Sequence, residues 1–272
     1  MHTAYCTIDQ EIYSTYQFST LPLHELSAKR DHLICTECER RAFFRQRSRN
    51  GRAAHFGARP HQPGCSQTAY DSAQNNQNLA GGGSLGSGAS RVVVDLDYGM
   101  HPSNSQNFPP NFGDAEYDGY TSRRSTGDFQ NMVSRRRLGP LLRELTTAGN
   151  IAAAQQIEIP GMGNFTAANF FVNFNASRTV QEGAWHGFWG MVSSAKLDEQ
   201  TGTLWLNTGG WEDPSVCIDR EFVSAICSRF GIDDAEDLAG ANILIMGMLR
   251  TAGNYKRCIK LADSSFITID LA

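Results

Sequence analysis

The C-terminal part of the chain, residues 165–272, has the most regular alternation of apolar and polar positions. A period of two residues is typical of β-strands that bury one face, and a period near 3.6 is typical of amphipathic helices. This pattern predicts one helix, at 221–230, before the last two strands. The predicted strands span 169–175, 187–196, 203–208, 215–219, 241–250 and 257–270.

The strand predicted at 187–196 has two distinct faces. Phe188, Gly190 and Val192 share one face, which we expect to point inward, with the glycine at a place of close curvature. Trp189 and Met191 then occupy the outer face.

The next strand repeats the arrangement, because Leu204 and Leu206 form an inward pair that leaves Trp205 outside. Trp189 and Trp205 are therefore predicted to lie on the same outer face of adjacent strands. Exposed indoles are costly unless something covers them. We interpret the pair as a platform on which nucleic-acid bases stack. The alternative is a contact with the segment 169–174 or with a second subunit.

Three main strands, a helix and two more strands are the order of the OB-fold, a small five-stranded Greek-key barrel. With this order and the segment 237–240 (Asp-Leu-Ala-Gly) before the fourth strand, residues 165–272 resemble the OB-fold family of nucleic-acid-binding domains. The resemblance implies that a ligand contacts the second and third strands and the loop between the last two. The chain as a whole is predicted to be mainly β.

The region before the barrel has a different composition. Residues 67–131 are rich in Gly, Ser, Asn, Gln and Pro, which predicts a flexible linker. One island inside it, residues 91–98, has the β-branched content of a strand, although no partner strand is evident from the pattern. We therefore divide the chain into a zinc-ribbon-like domain at 1–66, the linker, and a domain at 132–272 in which a helix precedes the barrel.

Four candidate metal ligands lie close together in the N-terminal domain. Cys35 and Cys38 form a Cys-x-x-Cys pair, and His61 and Cys65 form a His-x-x-x-Cys pair. Two such pairs are typical of four-coordinate Zn²⁺. Four protein ligands leave no open position for water, so we expect the zinc ion to stabilise the fold and not to perform chemistry. His55 is the alternative third ligand.

The competing interpretation is a segment with ordinary free thiols and surface histidines. The chain has 7 cysteines, and this odd number argues against a disulfide framework. The four cysteines outside the candidate cluster are scattered singly through apolar or strand-like stretches. We expect them to behave as small buried side chains.

Composition limits the class of protein. With 40% hydrophobic and 19% charged residues, the chain can form one or two packed domains. The formal net charge of −4 argues against a surface that is basic everywhere, but residues 28–60 are rich in Lys and Arg. The N-terminus has no signal-peptide pattern and no stretch approaches the length of a membrane span. We expect a soluble, cytoplasmic protein.

The Cys-x-x-Cys pair, residues 42–45 (Ala-Phe-Phe-Arg) and residues 51–56 (Gly-Arg-Ala-Ala-His-Phe) resemble the N-terminal zinc ribbon of CoiA-like competence proteins. This resemblance covers about residues 28–66. It would imply a nuclease of the PD-(D/E)xK kind, which needs metal-binding carboxylates and a lysine. The chain has no lysine between Lys29 and Lys196. We therefore predict that the protein is not an enzyme.

We predict a protein that binds single-stranded nucleic acid, with DNA as the expected form, through the barrel and the basic zinc domain. The CoiA-like resemblance associates such binding with DNA uptake, transfer of mobile genetic elements or antiviral defence. The alternative is an adaptor or oligomerising subunit whose exposed tryptophans contact a protein partner or a second copy. The predicted nucleic-acid contacts are Trp189, Lys196, Trp205, Arg250, Tyr255, Lys256, Arg257 and Lys260 in the barrel, and Arg45, Arg47, Arg49 and Arg52 in the zinc domain.

Overall fold

The computed structural model describes residues 1, 3–47, 53–62, 65–67, 91–96, 133–251 and 256–271. Strands outnumber helices among these residues and belong to three sheets, which confirms the mainly β class. A separate group of buried apolar side chains accompanies each sheet. No helix in the described part of the chain is both long and apolar enough to cross a membrane.

The N-terminal domain contains five strands and two short α-helices. Its elements are β1 (Thr3–Cys6), β2 (Glu11–Ser14), α1 (Thr15–Ser19), α2 (Leu23–Lys29), a 3-10 helix (Arg30–His32), β3 (Leu33–Ile34), β4 (Arg41–Arg45) and β5 (His55–Ala58). The strands form an antiparallel sheet in the order β2-β1-β3-β4-β5. Phe18 of α1 contacts Phe44 and Phe56 edge to face, at ring-centroid distances of 4.9 and 5.4 Å. These rings form the centre of a small core.

A second sheet contains the strand-like island that the sequence left without a partner. Its elements are β6 (Arg91–Asp95), β7 (Val133–Arg137), α3 (Leu138–Ala148), β8 (Gln156–Ile159) and β9 (Gly163–Thr166). β6 pairs in parallel with both β7 and β8, and β9 extends the sheet beyond β8. Val92 and Val94 are fully buried in the core that the sheet shares with α3. The β-branched run of the island therefore serves a central strand.

The linker predicted at 67–131 lies mostly outside the described residues. Apart from residue 67, its described part is residues 91–96, which include a paired strand and are not linker. The helix predicted after the linker begins only at Leu138, because the preceding residues form β7. Pro140 lies in the first turn of α3, where its missing N–H removes no hydrogen bond of the helix.

The C-terminal domain contains the predicted barrel and a short segment that leads into it. Its elements are α4 (Ala167–Phe170), β10 (Phe171–Asn173), a 3-10 helix (Phe174–Thr179), β11 (Trp185–Met191), β12 (Ser194–Leu197), β13 (Leu204–Asn207), β14 (Ser215–Ile218), α5 (Arg220–Phe230), a 3-10 helix (Ala235–Leu238), β15 (Asn242–Thr251), β16 (Arg257–Lys260), a 3-10 helix (Ser264–Phe266) and β17 (Ile267–Asp270). Three predictions differ from these elements. The strand predicted at 187–196 is divided into β11 and β12. The strand predicted at 169–175 is only three residues long, between two helical turns. The strand predicted at 257–270 is two strands, because β17 turns back to pair with β15.

The barrel closes because its first strand bends between β11 and β12. β11 pairs with β15, whereas β12 pairs with β13. At the bend, the N–H of Val192 donates to the carbonyl of Ala241 and the N–H of Ser193 donates to the carbonyl of Asn207, both at 2.8 Å. β13 pairs with β14, β14 with β16 in parallel, and β16 with β15. This closed path is the topology of the OB-fold.

The N-terminal domain packs directly against the barrel. Phe43 of β4 is buried with Ala239, just before β15. The guanidinium group of Arg30 donates to both carboxylate oxygens of Glu236 at 3.0 Å. The guanidinium group of Arg45 donates to the carbonyl of Ala239 at 2.7 Å. The two domains therefore share an interface in addition to their covalent connection.

Candidate metal centre and nucleic-acid interface

The side chains of Cys35, Cys38, His61 and Cys65 converge, with all four ligand atoms within 4.8 Å of one another. His61 Nδ1 lies 3.4 Å from Cys38 Sγ and 3.3 Å from Cys65 Sγ, and the sulfur atoms of Cys35 and Cys65 are 3.9 Å apart. A tetrahedron with metal–sulfur bonds of about 2.3 Å has edges of roughly 3.8 Å between sulfur atoms. The four side chains can therefore hold one metal ion.

Two turns carry the ligands and are fastened to each other. In the first turn, the N–H of Cys35 donates to the carbonyl of Arg40 at 2.8 Å. Glu39 lies in the left-handed region at φ 55°, which tightens this turn. The second turn is attached through Ser66, whose N–H donates to a carboxylate oxygen of Glu37 at 2.8 Å. Main-chain and carboxylate contacts thus position both ligand pairs.

The thiols of the cluster differ in their tendency to ionise. Burial raises the pKa of the Cys38 thiol, but hydrogen bonds from the backbone of Gln62 and Arg40 and from the side chains of His61 and Cys35 together outweigh burial and lower the pKa to about 6. Burial and the neighbouring thiols raise the pKa of the Cys65 thiol to about 11. Closely spaced buried thiolates repel each other, so one ionises at the expense of another. A divalent cation removes this repulsion, and the donor set therefore fits a metal ion.

His55, the alternative ligand, lies elsewhere in the domain. It is on β5, opposite Arg45 of β4. Its ring is edge-on to Phe43 at a centroid distance of 6.4 Å, and its Nδ1 lies 3.1 Å from the carbonyl oxygen of Ala53. The histidine that the structure brings to the thiols is His61.

The strand register aligns side chains in rows across the outer face of the barrel. In the first row, Lys196 of β12 is opposite Trp205 of β13, which is opposite Cys217 of β14, which is opposite Lys260 of β16. The leucines on either side of Trp205 are buried in the barrel core. Because successive side chains of a strand point to opposite faces, this row points outward.

A second row lies two residues along the same strands. It contains Ser194, Asn207, Ser215, Cys258 and Arg250, which are neighbours in that order across β12, β13, β14, β16 and β15. The two rows together cover the face that OB-folds use for ligands.

A groove of about 690 Å³ lies between this face and the N-terminal domain. Trp205 and Trp211 line it from the barrel, and Asp31 and His32 line it from the 3-10 helix that follows α2. The indole of Trp205 is half-buried, whereas that of Trp211, in the loop between β13 and β14, is 64% exposed. The groove therefore offers two aromatic surfaces.

Lys256 fixes the loop that carries Trp211. Its Nζ donates to the carbonyl oxygens of Gly210, Trp211 and Asp213 at 2.9–3.1 Å and lies 5.4 Å from the centroid of the Trp211 ring. Burial lowers the pKa of this lysine, against the opposing effect of Asp31 and Asp213. Lys256 lines the groove, as predicted for a contact residue, but its ammonium group is bonded to main-chain oxygens.

The remaining predicted cations of the barrel differ in availability. Lys196 and Arg250 are exposed, one at the end of each row. Lys260 forms an ion pair with Asp219 at 2.7 Å. Arg257 donates to a main-chain carbonyl in the segment before β11 at 3.3 Å. Lys196 and Arg250 are therefore the predicted cations best placed to meet phosphate groups.

Trp189 does not belong to this face. Its side chain is 9% exposed and packs with Leu244, Met246 and the leucines of α3 in the core of the second sheet. The prediction that the Trp189 side chain points away from the barrel interior agrees with the structure. The prediction that it is open to solvent is wrong, because the second sheet and α3 cover it.

The arginines predicted to contact nucleic acid from the zinc domain also require correction. Arg45 is 3% exposed, and its guanidinium group donates to the carbonyls of Ala239 and Asp237 at the domain interface. It is therefore a structural residue and unavailable to phosphate. Arg47 is exposed. The predictions for Arg49, Arg52 and Tyr255 lie outside the described residues.

Sequence reasoning predicted only Trp205 and Lys256 among the residues that line the groove. Trp211, Asp31 and His32 are the most informative of those that it missed. Trp211 follows two glycines in the loop between β13 and β14, so a search for aromatic residues in loops beside the ligand face would have found it. Asp31 and His32 are distant in sequence from the barrel and carry no local signal. They reach the groove only because the two domains pack together.

No protein-family model matches the chain, and no curated protein matches it. Among solved structures, the Stn1-ten1 complex of S. pombe is similar to part of the chain, with a TM-score of 0.23 and 9% sequence identity. The match covers 31% of this chain and 57% of that chain.

Proposed function

We propose that the protein binds single-stranded nucleic acid, with DNA as the expected form, on the outer face of the barrel. The observation that carries this proposal is the position of Trp205, in the interior of a row that ends in Lys196 and Lys260. Single strands are bound by stacking of bases on aromatic side chains, combined with cations that follow the backbone. The second and third barrel strands, β13 and β14, are also where OB-folds bind oligonucleotides.

Trp211 supports the same proposal. It lines the groove with Trp205 and leaves 64% of its surface exposed. A large exposed indole beside a half-buried one is a costly surface for a protein to present to water, and it is typical of a binding site. Two indoles in one groove provide stacking surfaces for more than one base.

The four-ligand cluster is assigned to Zn²⁺. Three thiols and one imidazole are the ligand types that zinc prefers, and their spacing fits tetrahedral coordination. When bound, zinc would cross-link the two ligand turns and stabilise the N-terminal domain. This is the one such convergence of His, Cys, Asp or Glu side chains within the described ranges, and four protein ligands leave no position for a reacting water. The proposed role is therefore binding without catalysis.

A role of this binding in DNA uptake, mobile-element transfer or antiviral defence stays a prediction from the CoiA-like resemblance of residues 28–66. The geometry of the groove does not distinguish among these processes, because each of them exposes single strands.

Replacing Trp205 by alanine is expected to weaken binding of a single-stranded oligonucleotide by about 1–3 kcal/mol. The reason is the loss of the central stacking surface, while the cations of the rows remain. Fluorescence anisotropy with labelled single-stranded DNA, single-stranded RNA and duplex DNA measures the change and ranks the three ligands.

The matched control is Tyr16→Ala, which removes an aromatic side chain that is 77% exposed and lies in α1, outside the groove. It should leave affinity unchanged. If wild-type protein binds no oligonucleotide, the alternative gains support, in which Trp205 and Trp211 dock a protein partner. Equal affinity of the Trp205→Ala variant and wild type would rule out stacking on this residue.

The salt dependence of binding is expected to reveal the phosphate contacts. Each phosphate neutralised on a single strand contributes about −0.7 to the slope of log K against log salt concentration. Lys196→Gln and Arg250→Gln should each make the slope shallower by about 0.7. Arg143→Gln, on the exposed side of α3, serves as the control for loss of one positive charge. If the salt-dependence slopes of these two variants equal that of Arg143→Gln, Lys196 and Arg250 do not contact phosphate groups.

A further inference from the structure

Four side chains form a chain of hydrogen bonds from the barrel face to the N-terminal domain. Ser194 Oγ lies 3.1 Å from Asp31 Oδ1, and an ionised carboxylate only accepts, so the serine hydroxyl donates. The Asn207 amide then donates to Ser194 Oγ at 3.0 Å, and the Ser215 hydroxyl donates to Asn207 Oδ1 at 2.9 Å. All three bonds are donated in the same direction, and this series of hydrogen bonds ends at the carboxylate of Asp31.

This direction decides what the groove offers to a ligand. Ser215 directs its hydroxyl hydrogen, and Asn207 one of its two amide hydrogens, along this series of hydrogen bonds. Both side chains line the groove, and Lys256 donates to three main-chain carbonyls. Asp31 also lines the groove. Its carboxylate has about four acceptor sites, of which Ser194 uses one. The groove therefore combines an aromatic surface with a fixed anionic acceptor.

A nucleobase fits this combination better than a phosphate group. The carboxylate of Asp31 repels phosphate, whereas Lys196 and Arg250 are exposed at the ends of the rows, where a backbone can meet them. The volume of about 690 Å³ is within the range of pockets that enclose small organic groups. The base would lie inside the groove and the backbone outside it.

We propose that the groove between the barrel and the N-terminal domain is a specificity pocket for a nucleobase with an exocyclic amino group, which stacks on Trp205 and donates to the carboxylate of Asp31. Cytosine, adenine and guanine carry such a group, whereas thymine and uracil have none and carry a carbonyl oxygen at position 4, where cytosine has its amino group. A carbonyl oxygen facing Asp31 is repelled and leaves the carboxylate without its bond. The pocket rests on the proposed function, because it selects among strands that the barrel face binds.

The test compares oligo-dC and oligo-dT of equal length, since the two bases are pyrimidines that differ in hydrogen bonding at position 4. Wild-type protein is expected to bind oligo-dC about tenfold more tightly in fluorescence anisotropy, as one charge-assisted hydrogen bond would give. In Asp31→Asn this ratio should fall toward one, because an amide both accepts and donates and so tolerates either base. Loss of the negative charge should raise the affinity for both oligonucleotides equally, so this general effect cancels in the ratio of the two affinities.

Two controls separate the pocket from other effects. Glu199→Gln removes an equal charge from the exposed hairpin between β12 and β13 and should leave the ratio unchanged. An oligonucleotide of N4,N4-dimethyldeoxycytidine, tested on the wild-type protein, keeps the ring and lacks both donors. It should bind as weakly as oligo-dT, and this result does not depend on whether the Asp31 variant folds.

The outcomes distinguish the pocket from the proposed function. Absence of binding to every oligonucleotide would overturn both. Binding that depends on Trp205, with equal affinity for oligo-dC, the dimethylated analogue and oligo-dT, would keep the barrel face and overturn the pocket. A preference for oligo-dC that survives in Asp31→Asn would likewise assign the selectivity to another group.

Discussion

Replacing Cys35 by serine is expected to release the metal ion and to unfold the sheet of the N-terminal domain. Serine keeps the size of the side chain but does not supply the thiolate that zinc requires. Structural zinc contributes about 10–16 kcal/mol of apparent binding free energy in zinc-finger peptides, which is comparable to the about 5–15 kcal/mol net stability of a whole domain. Elemental analysis of the purified variant should find less than stoichiometric metal. Hydrogen exchange should find the amides of β3, β4 and β5 unprotected.

Cys6→Ala is the matched control for this prediction. Cys6 is a fully buried thiol of β1 in the same core, but it is not a member of the ligand cluster. Its replacement should cost about 1 kcal/mol, retain the metal and leave exchange in β3 to β5 protected. A Cys35→Ser variant with a full equivalent of metal and unchanged exchange would refute the assignment of the cluster.

The barrel was predictable because its signal is local. Alternation over single strands placed Phe188 and Leu206 inside and Trp205 outside, and each is where the pattern predicts. The same alternation placed Trp189 on the correct side of its strand. It could not predict whether Trp189 is exposed to solvent, because the sheet that buries it has a central strand, β6, from a segment with the composition of a linker.

The candidate site was only partly predictable for the same reason. The Cys and His spacing identified the four converging side chains, because each ligand pair lies within a single turn. The groove depends on contacts between domains. Arg45 has the local appearance of a basic nucleic-acid contact, yet it satisfies main-chain carbonyls of the barrel. Asp31 has no distinguishing context in the sequence and becomes informative only beside Ser194.

Phe43→Ala is expected to loosen the N-terminal domain from the barrel while each keeps its own core. The Phe43 ring fits between Gly57 of its own domain and Gly240 of the barrel, and a Cβ atom added at either glycine would lie 2.3 or 2.2 Å from the ring. Removing a ring that is 3% exposed leaves a cavity with a cost of about 3–5 kcal/mol. Because the ring belongs to the interface, the cost should appear as faster hydrogen exchange at the segment 237–241 and earlier proteolytic separation of the domains.

A pair of glycine variants tests the same contact from the barrel side. Gly240 and Gly231 both have positive φ, at 83° and 63°, so alanine introduces backbone strain of about 1–2 kcal/mol at either site. Nothing lies within 4 Å of a Cβ at Gly231, whereas a Cβ at Gly240 overlaps the ring of Phe43. Gly240→Ala should therefore lose roughly 1–3 kcal/mol more than Gly231→Ala in denaturant unfolding. In Phe43→Ala the excess should vanish, because the overlapping ring is gone. If Gly240→Ala still loses more stability than Gly231→Ala in the Phe43→Ala background, the extra loss does not come from overlap with the Phe43 ring. That result would contradict a stabilising contact between Phe43 and Gly240.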